Sequence, residues 1–130
     1  MASNERRGIK QIINAAKWSF QGLMATFKYE ASFRLEFYLA IILIPIAIYI
    51  AESPLQLLLL ISCIILVLIL EIINSAIEAV VDMVCGEKFH ELAKRAKDMG
   101  SAAVFLGQLL VVATWATIIY TNVGTTGVAT

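Results

Sequence analysis

Five polar residues stand in or beside an apolar stretch, at Glu71, Asn74, Ser75, Glu78 and Asp82. Counted from Glu71 their offsets are 3, 4, 7 and 11, which puts the side chains on one face of an α-helix. Glu71 and Glu78 project within about 20° of each other. An ionisable side chain at the centre of a membrane-crossing helix costs about 2.5–3.5 kcal/mol on insertion scales and by default marks a functional site. The alternative is pairing with Lys or Arg at the membrane rim. Two more clusters carry charge: Lys28, Glu30, Arg34 and Glu36, and then Glu87, Lys88, His90, Glu91, Lys94, Arg95, Lys97 and Asp98. Glu30 and Arg34, four apart, have the spacing of an exposed helical ion pair, and the third cluster reads equally as a solvated loop with a helix cap. Carboxylates from two segments suit a hard divalent cation such as Mg²⁺, and lysines suit phosphate. The single histidine excludes a multi-histidine metal site within one chain, and the seven glycines form neither GxxxxGK[ST] nor GxGxxG. Residue chemistry alone stops at an acidic site that binds a metal and an anion; proton relay or ion transport explains buried carboxylates equally well.

The elements that hold these residues follow from where charge is missing. Apolar residues are 60% of the 130-residue chain and charged residues 15%, against about 45–50% and about 25% in soluble domains. Ten basic and ten acidic residues cancel, which removes the basic footprint of a nucleic-acid binder. Charge is absent from Phe37–Ala51, Ser53–Leu70 and Met99–Thr130. We expect one integral-membrane domain, 1–130, all-α, with spans near 33–51, 55–83 and 95–121, the second too long for a bilayer of about 30 Å. All ten basic residues lie before the first span (Arg6, Arg7, Lys10, Lys17, Lys28, Arg34) or between the second and third (Lys88, Lys94, Arg95, Lys97). The positive-inside rule then makes the N-terminus and the 85–98 loop cytoplasmic and the C-terminus external. Tyr49, Trp115 and Tyr120 become outer-interface anchors.

Ahead of the spans, Ile12, Ile13, Ala16, Phe20, Leu23, Met24 and Phe27 all fall within about 60° of Ile9 on a helical projection, with Lys10, Asn14, Lys17, Gln21 and Lys28 on the other side. This predicts an amphipathic helix over residues 8–29, lying in the headgroup layer or packed on its own protein. Trp18 breaks the pattern by projecting from the polar side with Gln11, where it anchors at the interface or stacks on a ligand. Cys63 and Cys85 lie at different depths and read as small apolar fillers. No signal-peptide pattern opens the chain. Ser75 with Ala79, and Gly100 with Ala103 and Gly107, give the helices small faces for close approach to neighbouring subunits.

The run Glu71-Ile-Ile-Asn74-Ser-Ala-Ile-Glu78-Ala-Val-Val-Asp82, the segment His90-Glu-Leu-Ala-Lys-Arg-Ala-Lys97-Asp98-Met-Gly-Ser101-Ala-Ala, and Glu30-Ala-Ser-Phe-Arg34-Leu-Glu36 closely resemble the small integral-membrane diacylglycerol kinases of bacteria, the Gram-negative type more than the related undecaprenol kinases. The resemblance covers about residues 8 to 121. It implies a homotrimer of three-span subunits in the bacterial inner membrane, each with an N-terminal surface helix, and active sites shared between neighbours. It implies direct transfer of the γ-phosphoryl group of ATP to diacylglycerol, giving phosphatidic acid, with Mg²⁺ as cofactor. On that pattern Glu71 is the general base for the lipid hydroxyl, and Glu30 and Glu78 hold the metal and with it the ATP phosphates. Lys88, Phe89, His90, Lys97 and Asp98 match the nucleotide-contacting segment, with Gln11 and Trp18 on the surface helix. Arg34, Glu36, Asn74, Ser101 and Trp115 match positions around the lipid substrate. Three departures stand out: Gln11 replaces a frequent arginine, Trp18 replaces a usual tyrosine, and the loop around Cys85-Gly86-Glu87-Lys88 is one residue longer. Phosphoryl transfer needs positioning and charge neutralisation more than covalent chemistry. A carboxylate at the bilayer edge, deprived of water, suits the base. The alternatives are an undecaprenol kinase and a non-catalytic membrane assembly or proton channel.

Overall fold

The computed structural model describes residues 2–127, with side chains from residue 8 onward, so the side chains of Arg6 and Arg7 lie outside the described residues. The chain forms four helices: α1 (Ala2–Tyr29), α2 (Ala31–Ile50), α3 (Pro54–Cys85) and α4 (Glu91–Thr126). The last three are long and apolar enough to cross a membrane. At about 1.5 Å per residue the 32 residues of α3 reach about 48 Å, well beyond a hydrocarbon core of about 30 Å.

Local chemistry sets each boundary. Ser53 caps α3 by accepting from the Gln56 backbone N–H at 3.2 Å, and Pro54 takes the first helical position, where a missing N–H costs nothing. Gly86 ends the helix at φ 55°, a left-handed conformation that glycine adopts without strain. His90 caps α4 by accepting from the Leu92 N–H through Nδ1 at 3.1 Å. Pro45 sits inside α2, where it removes one backbone hydrogen bond that neighbouring helices make tolerable in a membrane segment.

Helix α3 is central and packs against both α2 and α4. Its contact with α4 is close where α4 carries Gly100 and Gly107. A Cβ on Gly107 would meet Leu70 Cδ1 at 2.7 Å, and one on Gly100 would meet Asn74 Oδ1 at 2.2 Å. The small face expected to serve contacts between subunits is thus used within the chain, at Gly100 and Gly107, because nothing larger allows α3 and α4 this approach. Ala40, Ala47, Leu60, Cys63, Ile64, Trp115 and Ile118 form the buried core. Trp115, expected as an outer-interface anchor, is 9% exposed and donates its indole N–H to the Leu60 carbonyl at 3.3 Å. Burying so large a ring between α3 and α4 while satisfying its one donor explains the inward turn. Tyr49 and Tyr120 stay exposed.

An amide network closes the end of the bundle away from α1. Asn122 Nδ2 donates to the Ile50 carbonyl at 2.8 Å and to Gln56 Oε1 at 3.1 Å, and Gln56 Nε2 donates to Asn122 Oδ1 at 2.8 Å. This joins the C-termini of α2 and α4 to the N-terminus of α3. Asn122→Leu is expected to cost about 1–2 kcal/mol, the range of interhelical polar bonds in membranes. Thermal unfolding in detergent measures the cost, and an unchanged midpoint would show the network dispensable.

Helix α1 leaves the bundle at Glu30. Its C-terminal carbonyls at Phe27 and Lys28 both accept from the Arg34 guanidinium at 2.9 Å, a cationic cap on the negative end of the helix. Phe27 packs edge-on against Phe37 and Tyr38, with centroids 5.5 and 6.0 Å away. No Glu30–Arg34 ion pair forms among the described residues, in contrast to the expectation from their spacing; Arg34 is turned back to α1 instead. Ile9, Ile12, Ile13, Phe20, Leu23 and Met24 are all exposed.

Candidate active site

Helix α3 supplies the centre. Glu71 is only 5% exposed, the one buried acidic residue among those described. It makes no hydrogen bond among the described residues, and its carboxylate oxygens are not fully sealed. Glu36 from α2, Glu78 one heptad along α3, and Glu30 from the α1–α2 elbow are the acidic groups near enough to act on its charge. Three other carboxylates, from three segments, therefore lie within coulombic reach of Glu71. Concentrating like charge around a carboxylate with no cationic partner opposes stability, and its retention calls for a ligand that uses the charge.

The neighbouring polar groups are individually held. Asn74 Nδ2 donates to Glu78 Oε1 at 3.0 Å, which fixes one carboxylate oxygen and leaves the other free. Asn74 Oδ1 is sealed against Gly100 with no hydrogen-bond partner. Gln108 Nε2 on α4 donates to Glu36 Oε1 at 2.7 Å. Glu30 occupies the N-cap position of α2 without using its side chain as a cap, so its carboxylate stays available. Glu30, with Tyr29, Ser75 and Ala79, lines a groove of about 410 Å³ between α1 and α3.

No three His, Cys, Asp or Glu side chains gather as a preformed metal cage among the described residues. Two carboxylates are nonetheless a sufficient protein donor set for Mg²⁺, which keeps several waters and takes the rest of its ligands from substrate phosphates. Glu30, in the groove between α1 and α3, and Glu78, held by Asn74, each keep an oxygen free for such a role.

A second cavity, of about 240 Å³, opens at the α3–α4 loop, lined by Asp82, Lys88, Phe89, His90, Lys97 and Asp98 among others. All five residues matched to the nucleotide segment thus share one cavity. Two of them are already paired on the surface, Lys97 Nζ with Asp82 Oδ1 and Lys94 Nζ with Asp98 Oδ2, each at 2.6 Å. Such exposed pairs are readily exchanged for a phosphate. His90 spends Nδ1 on its cap and keeps Nε2 for another partner. Asp82 lies eleven residues from Glu71, about 16 Å along the axis.

The remaining expected residues lie apart. Gln11 and Trp18 are exposed on α1, Ser101 is exposed on α4, and Trp115 is buried beside Leu60, a further eleven residues from Glu71 in the opposite direction. Arg34 faces the α1 carbonyls. Reading charges alone missed Gln108 and the tight placement of Gly100. Their signals were a lone amide inside a charge-free run and a glycine one heptad from another.

The sequence profile described as prokaryotic diacylglycerol kinase matches residues 17–119. The chain is 45% identical over 113 residues to a diacylglycerol kinase of Haemophilus influenzae, covering 87% of this chain and 95% of that one. It is 43% identical over 122 residues to one of Escherichia coli K12, covering 94% and 99%. Against one of Pseudomonas aeruginosa the identity is 46% over 112 residues, covering 86% and 90%.

Proposed function

The chain belongs to the prokaryotic diacylglycerol kinase family, and on that premise we propose how its carboxylate cluster moves phosphate from ATP to diacylglycerol. It is a membrane-embedded lipid kinase. The observation that carries the mechanism is Glu71, buried and unpaired, within coulombic reach of three other carboxylates.

Glu71 accepts the proton of the diacylglycerol hydroxyl as that oxygen attacks the γ-phosphorus of ATP. The new O–P bond forms as the bond to the bridging oxygen breaks, ADP leaves, and the proton passes from Glu71 to water. Glu30 and Glu78 would hold Mg²⁺, which would neutralise charge on the ATP phosphates. Asn74 keeps Glu78 in place through its amide. Lys88, Phe89, His90, Lys97 and Asp98 receive the nucleotide in the loop cavity. Gln11 and Trp18 add contacts from α1, Trp18 offering a stacking face. Arg34, Glu36, Asn74, Ser101 and Trp115 belong to the lipid side, Arg34 by fixing the elbow and Trp115 by fixing the packing of α4.

The exposed apolar stripe of α1 lies in the headgroup layer, so water and ATP stay on one side and acyl chains on the other. The enzyme is a homotrimer in the bacterial inner membrane, N-terminus cytoplasmic, with active sites shared between neighbours. The basic residues on one side of the spans and the many exposed large apolar side chains support that assembly.

The test is a coupled assay of ADP release in mixed micelles with and without diacylglycerol, run beside undecaprenol at equal mole fraction. ADP release is expected to depend on diacylglycerol, to match phosphatidic acid one for one, and to stop when EDTA removes the divalent metal. Equal or greater turnover with undecaprenol would overturn the substrate. Proton movement in liposomes without ADP release would overturn the kinase reading.

A further inference from the structure

Gln108 is the one polar side chain of α4 between Ser101 and Thr114, and it is half-buried among the spans. Gly107 puts it there: α4 touches Leu70 and Val67 of α3 at that glycine, so the next side chain, about 100° round the helix, turns toward α2. One of its amide protons goes to Glu36 Oε1 at 2.7 Å. Among the described residues the other proton and the carbonyl oxygen have no partner in the chain. Gln108 and Glu36 form the polar wall of a cavity of about 180 Å³ whose remaining lining, including Leu39, Leu43, Ile64, Val67 and Val111, is entirely apolar. The contact with Leu70 and Val67 sets this pair at the depth of Glu71.

An apolar cavity with one free amide proton and free carboxylate and carbonyl oxygens suits a ligand with a long hydrocarbon portion, a hydroxyl donor and a carbonyl acceptor. Diacylglycerol has all three, whereas a polyprenol lacks the carbonyl. We propose that Gln108 is a specificity-determining residue of the lipid site, which fixes Glu36 with one amide proton and gives the other to an ester carbonyl of diacylglycerol. This rests on the reading that Glu36 borders the lipid substrate. A site built to donate a hydrogen bond discriminates against ligands that leave the donor unpaired.

The test compares diacylglycerol with its ether-linked dialkylglycerol counterpart, which keeps the hydroxyl and chains but lacks both carbonyls. With the unmodified enzyme, kcat/KM for the ester lipid is expected to exceed that for the ether lipid by about two- to tenfold, the worth of one hydrogen bond. Gln108→Met keeps the length, removes both donors and should bring that ratio to one with KM for ATP unchanged. The ratio is taken within one preparation, so a smaller folded fraction cancels. A ratio near one in the unmodified enzyme, or one that survives Gln108→Met, overturns the proposal. Glu36→Gln separates the premise: it is expected to raise KM for both lipids, and if it moves neither, Glu36 is not at the lipid site.

Discussion

Glu71→Gln is expected to lower phosphatidic acid formation by about 10²–10⁴-fold while the helices stay folded. The magnitude is that of a positioned general base. The amide has the shape of the carboxylate but accepts no proton, so the lipid hydroxyl must attack unassisted. Stability should not fall with activity. Glu71 makes no hydrogen bond that the change could break, and it stands among Glu36, Glu78 and Glu30, whose charges oppose its own. Removing one like charge relieves that repulsion and lowers the cost of holding the group in the membrane. Activity in mixed micelles and thermal unfolding by circular dichroism should therefore move independently, with KM for ATP near its original value. Turnover above one-tenth of the unmodified rate would remove Glu71 from the role of base. A large loss of thermal stability would mean that the carboxylate has a structural partner.

Carboxylates at helical spacing announce themselves in a chain this apolar, which is why Glu71, Glu78, Glu30 and Glu36 could be named before any helix was placed. The three spans were legible for the same reason: a run without charge has few uses outside a membrane. Neutral amides send no such signal. Gln56, Gln108 and Asn122 all lie within charge-free runs, and each bridges two helices. Their roles depend on which helices are neighbours and at what depth, information that sequence spacing along one helix does not hold. The same limit governs Gly100 and Gly107. Their spacing predicts close approach on one face, but only the packing shows that the partner is α3 of the same chain. Trp115 and Arg34 misled for the converse reason. A tryptophan near a span end reads as an anchor and an arginine four residues from a glutamate reads as an ion pair, yet each met a backbone carbonyl that offered a better-placed partner.

Gly100→Ala is expected to be the most damaging single-methyl change in the chain, costing about 1–3 kcal/mol of stability, the range for overpacking, and at least about tenfold in activity, since small misplacements of catalytic groups are expensive. The added Cβ would stand 2.2 Å from Asn74 Oδ1 and 3.3 Å from Asn74 Cγ. Asn74 can retreat only by giving up its 3.0 Å bond to Glu78, and α4 can retreat only by parting from α3. Either way the carboxylate assigned to the metal loses its fixed position. Gly107→Ala is the matched control. Its Cβ would meet Leu70 Cδ1 at 2.7 Å, the far end of a flexible side chain, and Val67 Cγ2 at 3.4 Å, so a rotamer change accommodates much of it. Thermal unfolding and Mg²⁺ titrations of activity on both variants should rank Gly100→Ala as the worse in each. Adding Asn74→Ala to Gly100→Ala removes the clashing oxygen, and the double variant should regain most of the stability but none of the activity, because Glu78 still lacks its amide. If Gly107→Ala proves equally damaging, or if the double variant regains turnover, Asn74 does not position Glu78 and the close approach at Gly100 serves packing alone.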